Sequence, residues 1–163
     1  MPHIRTYLAA ALIFTAVSAH AADSTPAPAY TEPVLSAFEL SMVKGRAAVK
    51  NKNYPQAVTA FADAVKQEPR NADAHTMLAY SYRVQATPNL PKSFEHYDIA
   101  LKINPLHKGA NEYVGQAHVM DKNLSKAREH LAALEKICGK QCPEYKNLDG
   151  AINSNRPNNS YGY

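Results

Sequence analysis

Residues 38–71 read FELSMVKGRAAVKNKNYPQAVTAFADAVKQEPRN, and the pattern of this stretch returns twice downstream. Laid over the stretches that start at Ala72 and Lys108, it brings matching residues into columns. Tyr54, Leu90 and Leu124 align, as do Ala57, Ser93 and Ala127. Phe61, Tyr97 and Leu131 form another column, followed by Ala64, Ala100 and Leu134. Earlier in each unit Gly45, Ala79 and Gly115 coincide, and Pro69 and Pro105 close the first two units. The steps are 34 and 36 residues, the longer one carrying two extra residues around Pro88 to Pro91. A fixed period of this size marks a stacked array of units, each unable to bury its apolar face alone. Such arrays serve as surfaces on which other chains dock.

The punctuation inside each unit is helical. Thr31 suits an N-cap and Pro33 a first turn, so a first helix is expected from there to about Lys50. Asn51 to Tyr54 is a short polar turn, and Pro55 opens a second helix that stops near Glu68-Pro69. Further helices are expected over about Ala72–Gln85, Pro91–Ile103, Lys108–Met120 and Ser125–Cys138. Short turns force neighbouring helices antiparallel, giving three stacked hairpins. A last helix follows Pro143, where Tyr145, Leu148 and Ile152 form an apolar stripe that would cap the exposed end of the array.

These columns resemble the tetratricopeptide repeat, a 34-residue helix-turn-helix with a small residue at position 8, Ala at 20, an aromatic at 24, Ala at 27 and Pro at 32. The first unit matches through Gly45, Ala57, Phe61, Ala64 and Pro69. The second has Ala79, Tyr82, Tyr97, Ala100 and Pro105, with Ser93 in place of Ala. The third keeps Gly115 and Ala127, then departs with Leu131, Leu134 and Gly139. The close of the array, Leu134 to Tyr145 with Cys138, Cys142 and Glu144-Tyr145, also resembles small exported bacterial tetratricopeptide proteins. The resemblance implies an all-α, right-handed solenoid of three hairpins plus a capping helix, with repeats at about 38–71, 72–107 and 108–141 in a domain of residues 33–152.

It implies further that positions 2, 5, 9, 12 and 13 of each first helix line a concave groove. Those are Glu39, Met42, Arg46, Val49 and Lys50, then Asp73, Thr76, Tyr80, Arg83 and Val84. The third set is Gly109, Glu112, Gln116, Val119 and Met120. Arg46, Tyr80 and Arg83 are the expected anchors, since Tyr and Arg dominate binding hot spots. Acids sit at helix starts and bases at helix ends, so the groove would have an acidic and a basic rim; the same placement also answers the helix dipole. The carboxylate clamp of some family members is not reproduced, because its positions carry Met42, Arg46 and Met77.

Outside the repeats, Arg5, the apolar run Tyr7 to Val17 and Ala19-His20-Ala21 have the anatomy of a secretory signal peptide cleaved after Ala21. Residues 22–32 read as a Pro/Ala spacer and 153–163 as a disordered tail. The chain has 163 residues and a formal charge of +4, with Lys and Glu interspersed along the helices. That pattern is a solvated surface and not a nucleic-acid footprint. In an exported chain Cys138 and Cys142 are expected to pair as a disulfide. Their spacing is neither that of a thiol oxidoreductase nor of a haem attachment site, and two cysteines are too few for structural zinc. The scattered histidines read as packed, hydrogen-bonded groups; His118 sits at a packing position. No nucleophile with a base and no phosphate loop is present, so neither catalysis nor a cofactor is expected. A periplasmic or secreted module that binds a peptide or helix in the groove is the leading expectation, with no stable membrane insertion. The alternatives are a chaperone-like assembly or turnover factor for envelope proteins, and a groove filled by a second copy or by the chain's own tail.

Overall fold

The computed structural model of the chain describes residues 34–158. The expected leader over 1–21, the spacer over 22–32 and the end of the tail, residues 159–163, lie outside the described residues. The described residues form seven helices: α1 (Ala37–Lys50), α2 (Tyr54–Gln67), α3 (Ala72–Arg83), α4 (Leu90–Ile103), α5 (Lys108–Met120), α6 (Leu124–Cys138) and α7 (Pro143–Ser154). No strand occurs among them.

The chain starts helices by one recurring device. Asn53, Asn71, Asn89 and Asn123 sit at the N-caps of α2, α3, α4 and α6, each side chain accepting from the amide three residues on. An Asn at this position satisfies a donor that the first turn leaves unpaired. The turns of the first and third hairpins are copies. Lys52 and Lys122 adopt φ of 56° and 61°, and the amides of Asn53 and Asn123 each donate to the carbonyl five residues back at 2.8 Å. In the second hairpin the longer loop is closed by the Asn89 amide donating to the Tyr82 carbonyl at 3.0 Å.

Two boundaries differ from the sequence expectation. α1 begins at Ala37, because Ser36 and Glu39 form a capping box: the Glu39 amide donates to Ser36 Oγ at 3.1 Å and the Ser36 amide to Glu39 Oε2 at 2.8 Å. That reciprocal pair satisfies two donors at once; residues 34–36 ahead of α1 are not helical, and the expected start at Thr31 and Pro33 lies outside the described residues. α7 runs through Asn153 to Ser154 and ends where Asn155 takes the left-handed conformation.

Each helix packs on the next in sequence, and α5 also packs against both α3 and α7. Phe61 is fully buried and fills the space over Gly45 of its own hairpin, where a Cβ would meet its ring at 2.5 Å. Gly115 serves a different neighbour: a Cβ there would stand 2.5 Å from Leu148 of α7. The columns of small residues thus admit a bulky side chain, and the capping helix supplies one for the last hairpin. Ser93, in the column otherwise held by Ala, is buried and donates its hydroxyl to the Ala79 carbonyl at 2.9 Å. It is tolerated because its hydroxyl is satisfied. Cys138 and Cys142 form a disulfide with Cα atoms 5.9 Å apart, joining the end of α6 to the start of α7. No described helix is long and apolar enough to cross a membrane.

Candidate functional site

The inner helices α1, α3 and α5 divide the expected groove residues into two groups. Glu39, Arg46, Lys50 and Asp73 are exposed, whereas Met42, Thr76, Tyr80, Arg83, Glu112 and Gln116 are buried. Val49, Val84 and Val119 are buried as well, and Gly109 and Met120 are half-buried. The open end of the face therefore lies at α1 and the start of α3, and the closed end at α3, α5 and α7.

At the open end a cavity of about 290 Å³ is lined by Leu35, Phe38, Glu39, Met42, Val43, Arg46, Asn71 and Asp73. Its apolar side comes from Leu35, Phe38, Met42 and Val43, with Leu35 51% and Val43 50% exposed. The two acids at its rim are already engaged. The Glu39 carboxyl is held below the usual range by the hydrogen bond from the Ser36 amide, so it works first as a helix cap. The Asp73 carboxyl is held down chiefly by the hydrogen bond from His107 and further by the Arg46 charge. His107 Nε2 donates to Asp73 Oδ1 at 2.9 Å while its Nδ1 accepts from the Ala110 amide at 3.2 Å, which assigns its neutral tautomer. A single ring thus caps α5 and ties the third hairpin to the second. Leu35, Phe38, Val43 and Asn71 were not among the groove residues expected from the repeat positions. The signal that could have found the first three is their spacing with Met42, which puts them on one helical side.

The closed end carries aromatic and ionisable groups in contact. The rings of Tyr80 and Tyr113 lie 5.2 Å apart, and the Arg83 guanidinium sits 5.3 Å from the centre of the Tyr80 ring, within cation–π range. Gln116 Nε2 donates to Glu112 Oε1 at 2.9 Å. Burial pushes the Glu112 carboxyl up to about 7, with the neighbouring Glu144 charge adding to the shift. Burial likewise pushes the Tyr97 hydroxyl up to about 12 against the pull of Arg83. The expected acidic rim is therefore weakened at this end, where Glu112 titrates near neutrality.

The histidines form packed ladders between hairpins. His75 Nε2 donates to the Pro69 carbonyl at 3.0 Å, and His75 Nδ1 lies 3.0 Å from His96 Nδ1. His118 stacks between Phe94 at 4.6 Å and His130 at 5.8 Å, consistent with its reading as a packing residue. His130 Nδ1 donates to Asn111 Oδ1 at 3.1 Å. Near the disulfide, Glu144 brings a carboxylate close to the two sulfurs. Sulfurs paired with each other are not the thiolates that bind metal.

Among the described residues the helices form a repeat array whose inner face is open at one end, where apolar and charged side chains meet. Residues 42–105 match the tetratricopeptide repeat family, and the fold of the described residues recurs in solved structures of tetratricopeptide-repeat domains. It is similar to the TPR2B domain of yeast Sti1 in its complex with pHsp70, with a TM-score of 0.66 at 17% identity, covering 73% of this chain and 95% of that one. The Arabidopsis OM64 TPR domain gives a TM-score of 0.63 at 20% identity, covering 73% of this chain and 98% of the other. No curated protein matches the sequence.

Proposed function

We propose that this protein is an exported interaction module, periplasmic or secreted, that binds a partner peptide or helix across its inner face. The cavity between α1 and α3 carries the reading: an apolar side formed by Leu35, Phe38, Met42 and Val43 stands beside the exposed cation of Arg46. Glu39 and Asp73 are held by a cap and by His107, so Arg46 and Lys50 are the charges that the inner side of α1 offers a ligand. A segment that pairs an apolar side chain with a nearby carboxylate suits this mouth. The yeast Sti1 domain, in complex with pHsp70, indicates that the fold can hold another chain; identity at that level carries the fold and not the partner.

A photo-crosslinking residue in place of Val43 in the full chain, expressed in its native envelope, tests the reading. We expect one partner chain to be captured, in the extracytoplasmic fraction and on a species starting at Ala22. Arg46→Glu should cut the capture at least about tenfold, the scale of one lost charge-assisted contact, while Lys126→Ala on the exposed part of α6 should leave it unchanged. Capture insensitive to Arg46→Glu would move the site off the inner face. A broad spread of captured unfolded chains would favour the chaperone-like role instead.

A further inference from the structure

The repeat columns hold a second stripe beside the groove positions. Places 3, 6, 7 and 10 of the first helix in each unit carry Ala74, Met77, Leu78 and Ser81 in α3. In α5 they carry Ala110, Tyr113, Val114 and Ala117. All of these are buried, and α3 packs on α2 and α5 on α4, each the second helix of the hairpin before. The same places in α1 carry Leu40, Val43, Lys44 and Ala47, and every one is exposed, Leu40 at 42%. Among the described residues no hairpin precedes α1. Spacings of three and four residues put the stripe on one side of α1, away from Gly45, which faces Phe61 of α2.

A terminal repeat normally turns a polar face to water. α7 does so at the far end, exposing Lys146, Gly150, Asn153 and Ser154. α1 does not: Val34, Leu35, Leu40 and Val43 are four of the five large apolar side chains that stay exposed among the described residues. We propose that the stripe on α1 is a docking site for an amphipathic helix of a separate protein, which packs on α1 as α2 packs on α3 and sets a carboxylate against Lys44. Charge selects this occupant. Lys44 stands where α3 and α5 carry Leu78 and Val114, and it forms no ion pair among the described residues. An ammonium drawn into an apolar contact needs an acid opposite it. A second copy does not supply one. Head-to-tail stacking is closed by α7, which packs on α5 and α6. A two-fold pairing of α1 with itself would bring Lys44 of both copies into one contact. The site lies beside the inner-face cavity, with Val43 on the border, and does not depend on the inner-face reading.

The probe is a stapled helical peptide with an alanine and leucine stripe interrupted by one glutamate, beside a twin with lysine at that place. The full chain should bind the glutamate peptide about tenfold more tightly than the lysine twin, and Lys44→Glu should reverse that order. Leu40→Glu, at an exposed place where the melting temperature should not change, should weaken the glutamate peptide at least about tenfold. Lys126→Glu on α6 should leave its binding unaltered. No binding, or an effect of Lys126→Glu as large as that of Lys44→Glu, would overturn the proposal. A photo-crosslinking residue at Leu40 in the full chain, without peptide, checks the other occupants. It should link neither to residues ahead of Val34 in the same molecule nor to α1 of a second copy; either link would give the face to this chain itself and refute a separate partner. Arg46 enters neither measurement, so this site and the inner-face site stand or fall separately.

Discussion

Glu112 on α5 and His130 on α6 set opposing pH dependences within the same repeat. Burial pulls His130 down from 6.5 to about 4, with the charges of His118 and Lys126 acting the same way. The folded state prefers its neutral ring, so its stabilising contribution is complete above pH 6.5 and is lost as pH falls through about 4. Burial lowers His96 and His118 in the same direction. Glu112 runs the other way: raised from 4.5 to about 7, its contribution is complete below pH 4.5 and is lost as pH rises through 7. The two slopes offset each other between about pH 4.5 and 6.5. Glu112→Gln should therefore raise stability on the order of 2–3 kcal/mol at pH 8 and by much less at pH 5. The variant should then lose stability steadily from pH 7 to pH 4. Urea unfolding at these pH values checks it, and equal gains at pH 5 and pH 8 would show that the buried carboxyl is not the cause. Nothing in the order of residues around Glu112 announces this role. It arises from the carboxyl being enclosed near Gln116, Asn147 and Glu144, which come from two helices.

At the scale of elements, α7 is held by packing and by a covalent link. Leu148 fits over Gly115, and the Cys138–Cys142 disulfide joins α7 to α6. Gly139 ends α6 with φ of 78°, a conformation that most residues adopt only with strain. So short a loop gives the disulfide about 2 kcal/mol of stabilisation in the chain-entropy picture. Replacing both cysteines with Ser should lower the melting temperature by several degrees, as about 2 kcal/mol does in a domain of this size. Limited proteolysis should then cut near Lys140 and Lys146 before any site in α1 to α4. First cleavage in the α2–α3 connection would mean that the link does not hold α7 in place. The helices, the hairpin turns and the place of α7 are legible in the sequence, because prolines, capping residues and apolar spacing act within one or two turns of chain. The start of α1 is not, since the Ser36–Glu39 box depends on two side chains meeting and competes with an equally good cap upstream.

Across the whole molecule the buried side chains fall into two clusters. The larger runs from Met42 and Val49 through Phe61, Tyr80 and Tyr97 to Tyr113 and Val114. The smaller holds Val119, Ala127, Leu134, Leu148, Ala151 and Ile152, none of them aromatic. In a repeat array stability is close to a sum of unit and neighbour terms. Leu148→Ala should cost about 2–5 kcal/mol and lower amide protection in α6 and α7 first. Amides of α1 and α2 should keep their protection, because the larger cluster does not depend on Leu148. Hydrogen exchange read by mass spectrometry checks this, and uniform loss across all seven helices would show a single cooperative unit instead.

The repeat columns by themselves determined the all-helical stack, the antiparallel hairpins and the small residues at Gly45 and Gly115, since period and side-chain volume are local properties that every turn of helix expresses. They could not say which inner-face residues stay open. Tyr80 stands at the same repeat position as Arg46, and Val84 at the same position as Lys50, yet Tyr80 and Val84 are buried while Arg46 and Lys50 are exposed. That difference was decided by tertiary structure. α5 packs against both α3 and α7, while a cavity stays open between α1 and the start of α3. The chain leaving α7 reaches Arg83 from 75 residues away, and no periodicity within a single repeat encodes a contact of that range.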